Sequence, residues 1–150
     1  MATTRYVEGM AYEYMKEHGL IAEGWSIMWN GRKAALGVTD YQKKTISFSR
    51  LLMPAVSDDT ARNTILHEIA HALTPGHGHN NIWRRKFVSI GGDGKRVSSA
   101  VPREHALSLQ KYKVYCAGGS FLGTANKKTK RLTVATCKCH GKGLVFLPNN

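Results

Sequence analysis

The sequence predicts an α+β fold, and three patterns along the chain indicate this class. A helical period covers residues 3–18, strand-like segments separated by turn signals cover residues 25–49, and a mostly apolar helix-like run covers residues 65–73. The 150 residues are enough for one compact domain with a hydrophobic core and a small appendage. We therefore expect a core domain over residues 1–110 and a basic, β-rich tail over residues 111–150.

The first predicted helix spans residues 3–18, ends at Gly19 and buries one apolar side. The side chains expected on that buried side are Tyr6, Val7, Met10, Tyr14 and Met15. A stripe of aromatic and methionine side chains at helical spacing is more often core than a cofactor site. This helix is therefore expected to have a structural role and to contribute no cofactor site.

A three-stranded sheet is predicted after the first helix. Its strands cover residues 25–29, 34–39 and 45–49. Asn30 and Gly31 are a strong hairpin signal between the first two strands, and the polar residues 40–44 can close a second hairpin. Ile46 and Phe48 alternate with polar residues, which predicts a sheet with one buried face.

Residues 65–73 place two histidines and a glutamate in an otherwise apolar run. His67 and His71 are four residues apart, so on a helix both imidazoles can face one metal ion. Glu68 is rotated by about 100° from His67 and can reach a water at that ion as a general base. This H-E-x-x-H arrangement is typical of zinc metalloproteases. The alternative is a buried structural helix, but its histidines and glutamate would be costly to bury without a partner such as a metal.

Caps are predicted for this helix and for the next one. Ser57 or Asp58 can cap the H-E-x-x-H helix, and Asp58 and Asp59 suit the dipole of its first turn. Asn80 or Asn81 can cap the following helix. That second helix is expected to carry Trp83, Phe87, Val88 and Ile90 and to stop at Gly91 and Gly92.

A catalytic zinc needs a third protein ligand and an open fourth position. Pro75 and Gly76 end the H-E-x-x-H helix and reverse the chain, so that His77 and His79 can both return to the metal. His77 fits the metzincin spacing counted from His67, although Thr74 stands where that motif has glycine. The spacing alone leaves both histidines open.

The run His-Glu-Ile-Ala-His-Ala-Leu, the Gly-His-Gly-His turn and the aromatic residue four positions after His79 resemble the SprT-like zinc metalloprotease domains. This resemblance implies a minimal zincin-like core, one catalytic zinc, and His79 as the third ligand, with Trp83 as an aromatic anchor. It also implies a protein substrate, in this family often a protein crosslinked to DNA. Small members of the family occur in bacteria and phages.

The charge balance changes sharply along the chain. Residues 1–83 carry eight Lys/Arg and eight Asp/Glu, whereas residues 84–150 carry fourteen Lys/Arg and two Asp/Glu, so the whole surplus of +12 lies in the second half. Such one-sided charge favours a polyanion, above all DNA bound without sequence preference. The residues expected to contact phosphates are Lys127, Lys128, Lys130 and Arg131, placed in a loop between two strand-like segments.

The tail is expected to hold strands over residues 112–116, 132–136 and 144–147. Its potential metal ligands are Cys116, Cys137, Cys139 and His140. Their placement resembles the zinc ribbon that often follows the SprT-like core, but Gly119 stands where the first knuckle has its second cysteine. We expect a degenerate ribbon that folds without metal, with a second, structural zinc as the open alternative.

The remaining expectations concern location and alternatives in function. No apolar run has membrane-spanning length and the first residues lack the core of a signal peptide, which predicts a soluble, cytoplasmic protein without disulfides. Two alternatives to a DNA-directed metalloprotease stay open. One is a DNA-binding accessory protein with a largely non-catalytic zincin site, and the other is a zinc peptidase with a specific protein target unrelated to DNA.

Overall fold

The computed structural model describes residues 2–96, 101–133, 135–138, 141 and 143–149. It divides into two compact units, Met1–Pro102 and Arg103–Asn150. In the described part of the first unit, helices surround a three-stranded mixed sheet, and the second unit contains a small antiparallel sheet. The predicted α+β class is confirmed. Across the described residues, no helix has both the length and the apolar character needed to cross a bilayer.

Helix α1 spans Thr4–Glu17, as the sequence predicts. Its buried side chains are Val7, Ala11 and Met15, which repeat every four residues. Tyr6, expected in the core, is 48 % exposed, so that assignment is wrong. The buried stripe is narrow and centred on the small side chain of Ala11, which leaves the flanking Met10 and Tyr14 half-buried.

The first sheet has the strand order β1-β3-β2. Its strands are β1 Ser26–Asn30, β2 Gly37–Asp40 and β3 Thr45–Ser49. The predicted second hairpin is confirmed, because β2 and β3 pair antiparallel from Asp40–Thr45 onwards. The predicted first hairpin is wrong, because β1 pairs in parallel with β3 and not with β2.

Asn30 explains why the hairpin signal fails. Its Oδ1 accepts a hydrogen bond from the Arg32 N–H at 2.9 Å, and its Nδ2 donates to Ser47 Oγ at 3.0 Å. The side chain therefore fastens β1 to β3 while the chain continues to the far side of β3.

Strand β3 lies in the centre of the sheet and is its most buried strand. Ile46 and Phe48 are fully buried, whereas Ser47 between them is half-buried and its partner Met28 in β1 is 52 % exposed, as the predicted alternation requires. Ser49, at the end of the strand, is buried as well.

Helix α2 spans Asp58–Leu73 and helix α3 spans Asn81–Ser89, and both begin with the predicted type of cap. Ser57 Oγ accepts from the Thr60 N–H at 3.2 Å. Asn80 Oδ1 accepts from the N–H groups of Ile82 at 3.0 Å and Trp83 at 3.2 Å. The Asn80 cap fixes where the loop between the two helices ends, and this loop contains His77 and His79.

The core between α2 and α3 is built by four fully buried side chains: Leu66, Ala70, Trp83 and Phe87. Half-buried Tyr14 and Ile90 pack against this cluster. Val88 belongs to α3 as predicted, but it is 54 % exposed and lies outside this cluster. Trp83 and Phe87 are one turn apart, and they hold α3 against the turn of α2 that carries the histidines.

The second unit contains a sheet of order β5-β4-β6 in which both strand pairs are antiparallel. Its elements are α4 Arg103–Ser108, β4 Tyr112–Tyr115, β5 Phe121–Ala125, α5 Lys130–Thr133 and β6 Val145–Pro148. The strand predicted over residues 132–136 is wrong for Leu132 and Thr133, which belong to α5, whereas Thr136 pairs with Gly143 in an isolated antiparallel bridge and residue 134 lies outside the described residues. Thr129 Oγ1 accepts from the Leu132 N–H at 3.3 Å and starts the short helix α5 instead. Strand β5 is missed by the sequence because Gly123 interrupts its alternation.

Two of the predicted tail ligands are buried: Cys116 is 1 % exposed and Cys137 is 8 % exposed. Cys139 and His140 lie outside the described residues. A tight turn follows Cys116, in which the Gly119 N–H donates to Cys116 O and the Cys116 N–H donates to Ser120 O, both at 2.9 Å. This turn places Gly119 at a φ of 86°, a conformation that favours glycine. The expectation of a tail that folds without metal, with a structural zinc as the open alternative, stays a prediction.

Candidate metal centre and active site

Three histidines converge at one point of the first unit. His67 and His71 project from neighbouring turns of α2, and His79 comes from the loop that leads into α3. Their Nε2 atoms form a triangle with sides of 3.1 Å between His67 and His79, 3.0 Å between His71 and His79, and 3.3 Å between His67 and His71. Ligand-capable atoms of these three residues lie within 4.8 Å of one another.

This triangle has the size of one face of a zinc coordination tetrahedron. With Zn–N bonds of about 2.0–2.1 Å, the ligand nitrogens of a tetrahedral site are separated by about 3.3 Å. Hydrogen bonds among the three imidazoles cannot satisfy this triangle. In a neutral ring each nitrogen is either a donor or an acceptor, so at least one of the three Nε2 pairs brings together two donors or two acceptors. The donor set therefore fits zinc, with a fourth position left for water or substrate.

His77 does not belong to the triangle. Its Nδ1 lies 3.1 Å from Asn80 Nδ2, so the ring interacts with the residue that caps α3. Gly76 and Gly78 have φ values of 81° and 53°, and these two left-handed residues turn the loop so that His79 reaches the α2 histidines. The arrangement favours His79 over His77 as the third ligand.

The indole of Trp83 packs against all three rings of the histidine cluster. Its ring centroid lies 4.7 Å from that of His67, 4.6 Å from that of His79 and 5.2 Å from that of His71, against which it stacks. Phe87 packs against the indole, with ring centroids 5.1 Å apart, and also contacts His67, with centroids 5.3 Å apart. These contacts restrict the rotation of all three imidazoles, which keeps their nitrogens converged.

Comparison with protein families agrees with this geometry. A family model, that of the SprT-like family, matches residues 8–103. The chain belongs to the SprT-like family. A comparison with curated proteins finds no match. The SprT-like match covers most of α1 and all of the first sheet, α2 and α3, and with the histidine cluster it is consistent with a zinc metallopeptidase site.

Electrostatics keep the histidines of this SprT-like domain neutral. Burial, and then the neighbouring His71 and His79, lower the pKa of His67 to about 4, and Asp93 opposes this shift. Burial and then His79 lower the pKa of His71 to about 4. Burial and then the charge of Arg96 lower the pKa of His79. Neutral imidazole is the form that binds metal, so the site is ready for an ion at neutral pH.

Glu68 lies in the same turn of α2 and is only 6 % exposed. Thr39 of β2 contacts it twice, since Thr39 Oγ1 lies 2.8 Å from Glu68 Oε2 and 3.0 Å from Glu68 O. Burial raises the pKa of Glu68 to about 7, and the hydrogen bond from Thr39 opposes that rise. A carboxyl group with a pKa near neutrality can both accept and return a proton, as a general acid–base catalyst must.

Strand β2 thus positions Glu68, a role that the sequence analysis missed. A Cβ at Gly37 would lie 2.7 Å from Glu68 Cγ and 2.9 Å from Oε1, so only glycine leaves space for this carboxylate. Tyr41, just after β2, donates from its hydroxyl to His71 O at 3.0 Å. A glycine inside a strand pattern signals a close approach and could have identified Gly37. No comparable signal marks Thr39 or Tyr41.

A cleft of about 210 Å³ opens beside Glu68 and His67. Apolar groups line much of it: Ala34, Ala35, Leu36, Leu52 and Val101. Its polar lining, besides His67 and Glu68, comes from Asn63, Thr64, Lys95 and Arg96. The cleft therefore begins at the proposed reaction centre and extends along the turn of α2 that precedes His67.

The four predicted phosphate contacts lie in the second unit, and all four are exposed. Their predicted setting is wrong in part, because Lys130 and Arg131 belong to α5 and only Lys127 and Lys128 lie in a loop. Lys128 Nζ sits 5.0 Å from the ring centroid of Tyr112 and 5.7 Å from that of Phe146. These aromatic rings hold one of the lysines beside the small sheet.

Proposed function

We propose that the protein is a zinc-dependent metallopeptidase whose substrates are proteins bound or crosslinked to DNA. The single observation that carries the peptidase part is the triangle of three Nε2 atoms next to the buried Glu68. Three neutral nitrogen ligands, an open fourth position and an adjacent general base are the parts that a hydrolytic zinc site requires.

Each residue has one role in the proposed reaction. His67, His71 and His79 hold zinc, which when bound supplies Lewis-acid chemistry by polarising the scissile carbonyl and acidifying water. Glu68 takes a proton from the attacking water and passes it to the nitrogen of the leaving amine. Thr39 keeps the carboxylate in place by binding Oε2, which leaves Oε1 for the transferred proton.

Strand β2 is the proposed platform for the substrate backbone. It is an edge strand of the sheet order β1-β3-β2, and it is also the strand that contacts Glu68. An extended peptide can add to such an edge through main-chain hydrogen bonds, largely independent of its sequence. A peptide paired with β2 would then lie beside the base and the metal ligands.

The DNA part of the proposal rests on charge. Residues 103–150 carry nine Lys/Arg and one Glu, a net charge of +8 in 48 residues. The exposed cluster of Lys127, Lys128, Lys130 and Arg131 supplies point charges for phosphates and presents no base-reading motif. We propose that this unit keeps the enzyme on DNA without sequence preference while the zinc site hydrolyses attached protein.

The direct test compares cleavage of a protein crosslinked to single- or double-stranded DNA with cleavage of the same protein alone. The zinc-loaded wild type is expected to cleave, and more rapidly when the substrate carries DNA. Glu68→Gln should lower kcat by roughly 10²–10⁴-fold while it retains one equivalent of zinc, because it removes only the proton transfer.

Three outcomes would contradict parts of this proposal. Equal cleavage by wild type and Glu68→Gln would remove Glu68 as the base. Cleavage without any effect of DNA, together with no DNA binding at physiological salt, would favour a peptidase with a protein target unrelated to DNA. Tight zinc and DNA binding with no hydrolysis of any protein would indicate a non-catalytic accessory protein.

A further inference from the structure

We propose that the cleft beside Glu68 binds an acidic side chain, aspartate or glutamate, of a substrate residue next to the scissile bond. This inference rests on the proposed peptidase function, and it names the substrate class for the same site. It follows from the position of the cleft, from its size and from the two cations that line it.

The position of the cleft makes it a side-chain pocket. It is lined by His67 and Glu68, and also by Gly37, the first residue of the edge strand β2. A peptide chain that pairs with β2 and reaches the metal must pass the mouth of this cleft. A residue adjacent to the scissile bond can therefore place its side chain inside.

The size of the cleft fits one side chain. Its volume of about 210 Å³ is below the roughly 300–1,000 Å³ of pockets that bind whole small molecules. Leu36 and Leu52 give it apolar walls that can pack against methylene groups. A side chain with an apolar stem and a polar end matches these walls better than a fully polar group does.

The positive charge at the cleft favours a bound side chain with a negatively charged end. Lys95 and Arg96 both line the cleft and are exposed, so they lie at its rim. The segment that carries them is attached to α2, because the Asp93 N–H donates to Asn63 Oδ1 at 3.0 Å and the Lys95 N–H donates to Asp93 Oδ1 at 2.9 Å. Asn63 is one turn before His67, so this attachment holds both cations beside the reaction centre.

Two carboxylates oppose these cations, and their placement limits where an acidic group can bind. Glu68 is buried where the cleft meets the histidine cluster, and one oxygen of Asp93 already accepts the Lys95 N–H. A substrate carboxylate is therefore favoured at the rim, close to Lys95 and Arg96 and away from Glu68. A DNA phosphate could also approach the rim, but it has no apolar stem that could pack against the walls of the cleft.

The first experiment measures binding without hydrolysis. Zinc-loaded Glu68→Gln is titrated with two extended peptides that differ only by Glu or Gln at one central position, and binding is followed by fluorescence anisotropy. The Glu peptide should bind about fivefold more tightly at low salt, as expected for solvent-accessible ion pairs with two cations. Equal or weaker binding of the Glu peptide would overturn the inference.

Charge reversal tests the assignment to Lys95 and Arg96. Adding Lys95→Glu and Arg96→Glu should reverse the preference towards a peptide with Lys at that position, with zinc content unchanged. The matched control is Arg85→Glu with Lys86→Glu, which makes the same charge change on the exposed side of α3 outside the cleft. If the control variant shifts the peptide preference equally, the effect comes from the overall charge of the protein, and the assignment of the acidic side chain to this cleft would be overturned.

Cleavage mapping separates this inference from the proposed function. Wild-type enzyme acting on a peptide library should show Asp and Glu enriched at one position flanking the cleaved bonds. Cleavage with no acidic enrichment would end the inference and leave the peptidase intact. Absence of all cleavage would contradict the peptidase proposal. The comparison of Glu and Gln peptide binding would then still show whether the cleft binds an acidic side chain. Competition by a short oligonucleotide, with equal Glu and Gln binding, would assign the rim to phosphate instead.

Discussion

The histidine cluster and the basic second unit differ in how their functional groups are held. His67 and His71 are packed against Trp83, and Glu68 is tied to Thr39, so these side chains have little freedom. Lys127 and Lys130, by contrast, are exposed to solvent. Zinc chemistry needs ligands placed within tenths of an ångström, whereas phosphate binding needs charge of the right sign nearby. Single substitutions should therefore act strongly in the first region and weakly in the second.

The largest effect is expected from removing a ligand. His79→Ala should weaken zinc binding by more than about 100-fold, since even residues that only support ligands are worth 10- to 100-fold. His77→Ala is the matched control, because His77 lies in the same loop and contacts Asn80 instead of the triangle. Zinc affinity is measured by competition with a chromophoric chelator. A greater loss in His77→Ala would reverse the ligand assignment.

A smaller effect is expected from the support of the general base. Thr39→Val removes the hydroxyl that binds Glu68 and should lower kcat by about 10- to 100-fold, given the usual strength of a hydrogen bond to a charged group. KM and zinc content should change little. Thr39→Ser keeps the hydroxyl and should restore most of kcat, which a purely structural role of the threonine methyl would not explain. Equal kcat in the valine and serine variants would contradict the positioning role.

These two predictions show what the sequence could supply. The juxtaposition of His67 and His71 on α2 follows from helix geometry alone, because residues four apart share a face. Thr39 and Gly37 could not be assigned, because their role depends on β2 lying against α2, which is a tertiary contact. The same limit explains the wrong hairpin at Asn30: a local turn signal cannot reveal that β3 takes the place between β1 and β2.

The basic cluster should respond more weakly and in a graded way. Replacing Lys127, Lys128, Lys130 and Arg131 together by alanine should reduce DNA affinity about three- to tenfold near physiological salt and should lower the salt dependence of binding. Cleavage of a DNA-free peptide should be unchanged. A control variant with four exposed basic residues of the first unit replaced, namely Arg32, Lys33, Lys43 and Arg50, should bind DNA nearly as wild type does. Equal losses in both variants would mean that net charge alone is responsible.

The smallest effect is expected from pH. The pKa of His67 and of His71 is lowered to about 4, so both rings stay deprotonated as the pH falls from 8 to 6. In that range His79 is the main histidine for which protons compete with zinc. The affinity for zinc should therefore fall by no more than about fourfold. Three histidines with ordinary pKa values near 6.5 would lose about 70-fold by pH 6. A loss of that size, in a chelator titration corrected for the chelator's own protonation, would show that burial does not protect the site.

The space at Gly37 also defines a short mutational route away from catalysis. One nucleotide change converts a glycine codon to alanine, and the added Cβ would lie 2.7 Å from Glu68 Cγ and displace the carboxylate. The histidine triangle lies on the α2–α3 side of the site and does not use that space, so the variant should still take up zinc. A protease could thus become an inactive zinc-binding scaffold in one step, with the H-E-x-x-H motif unchanged. Motif inspection alone would classify such a descendant as an enzyme, whereas the residue at position 37 would distinguish the two.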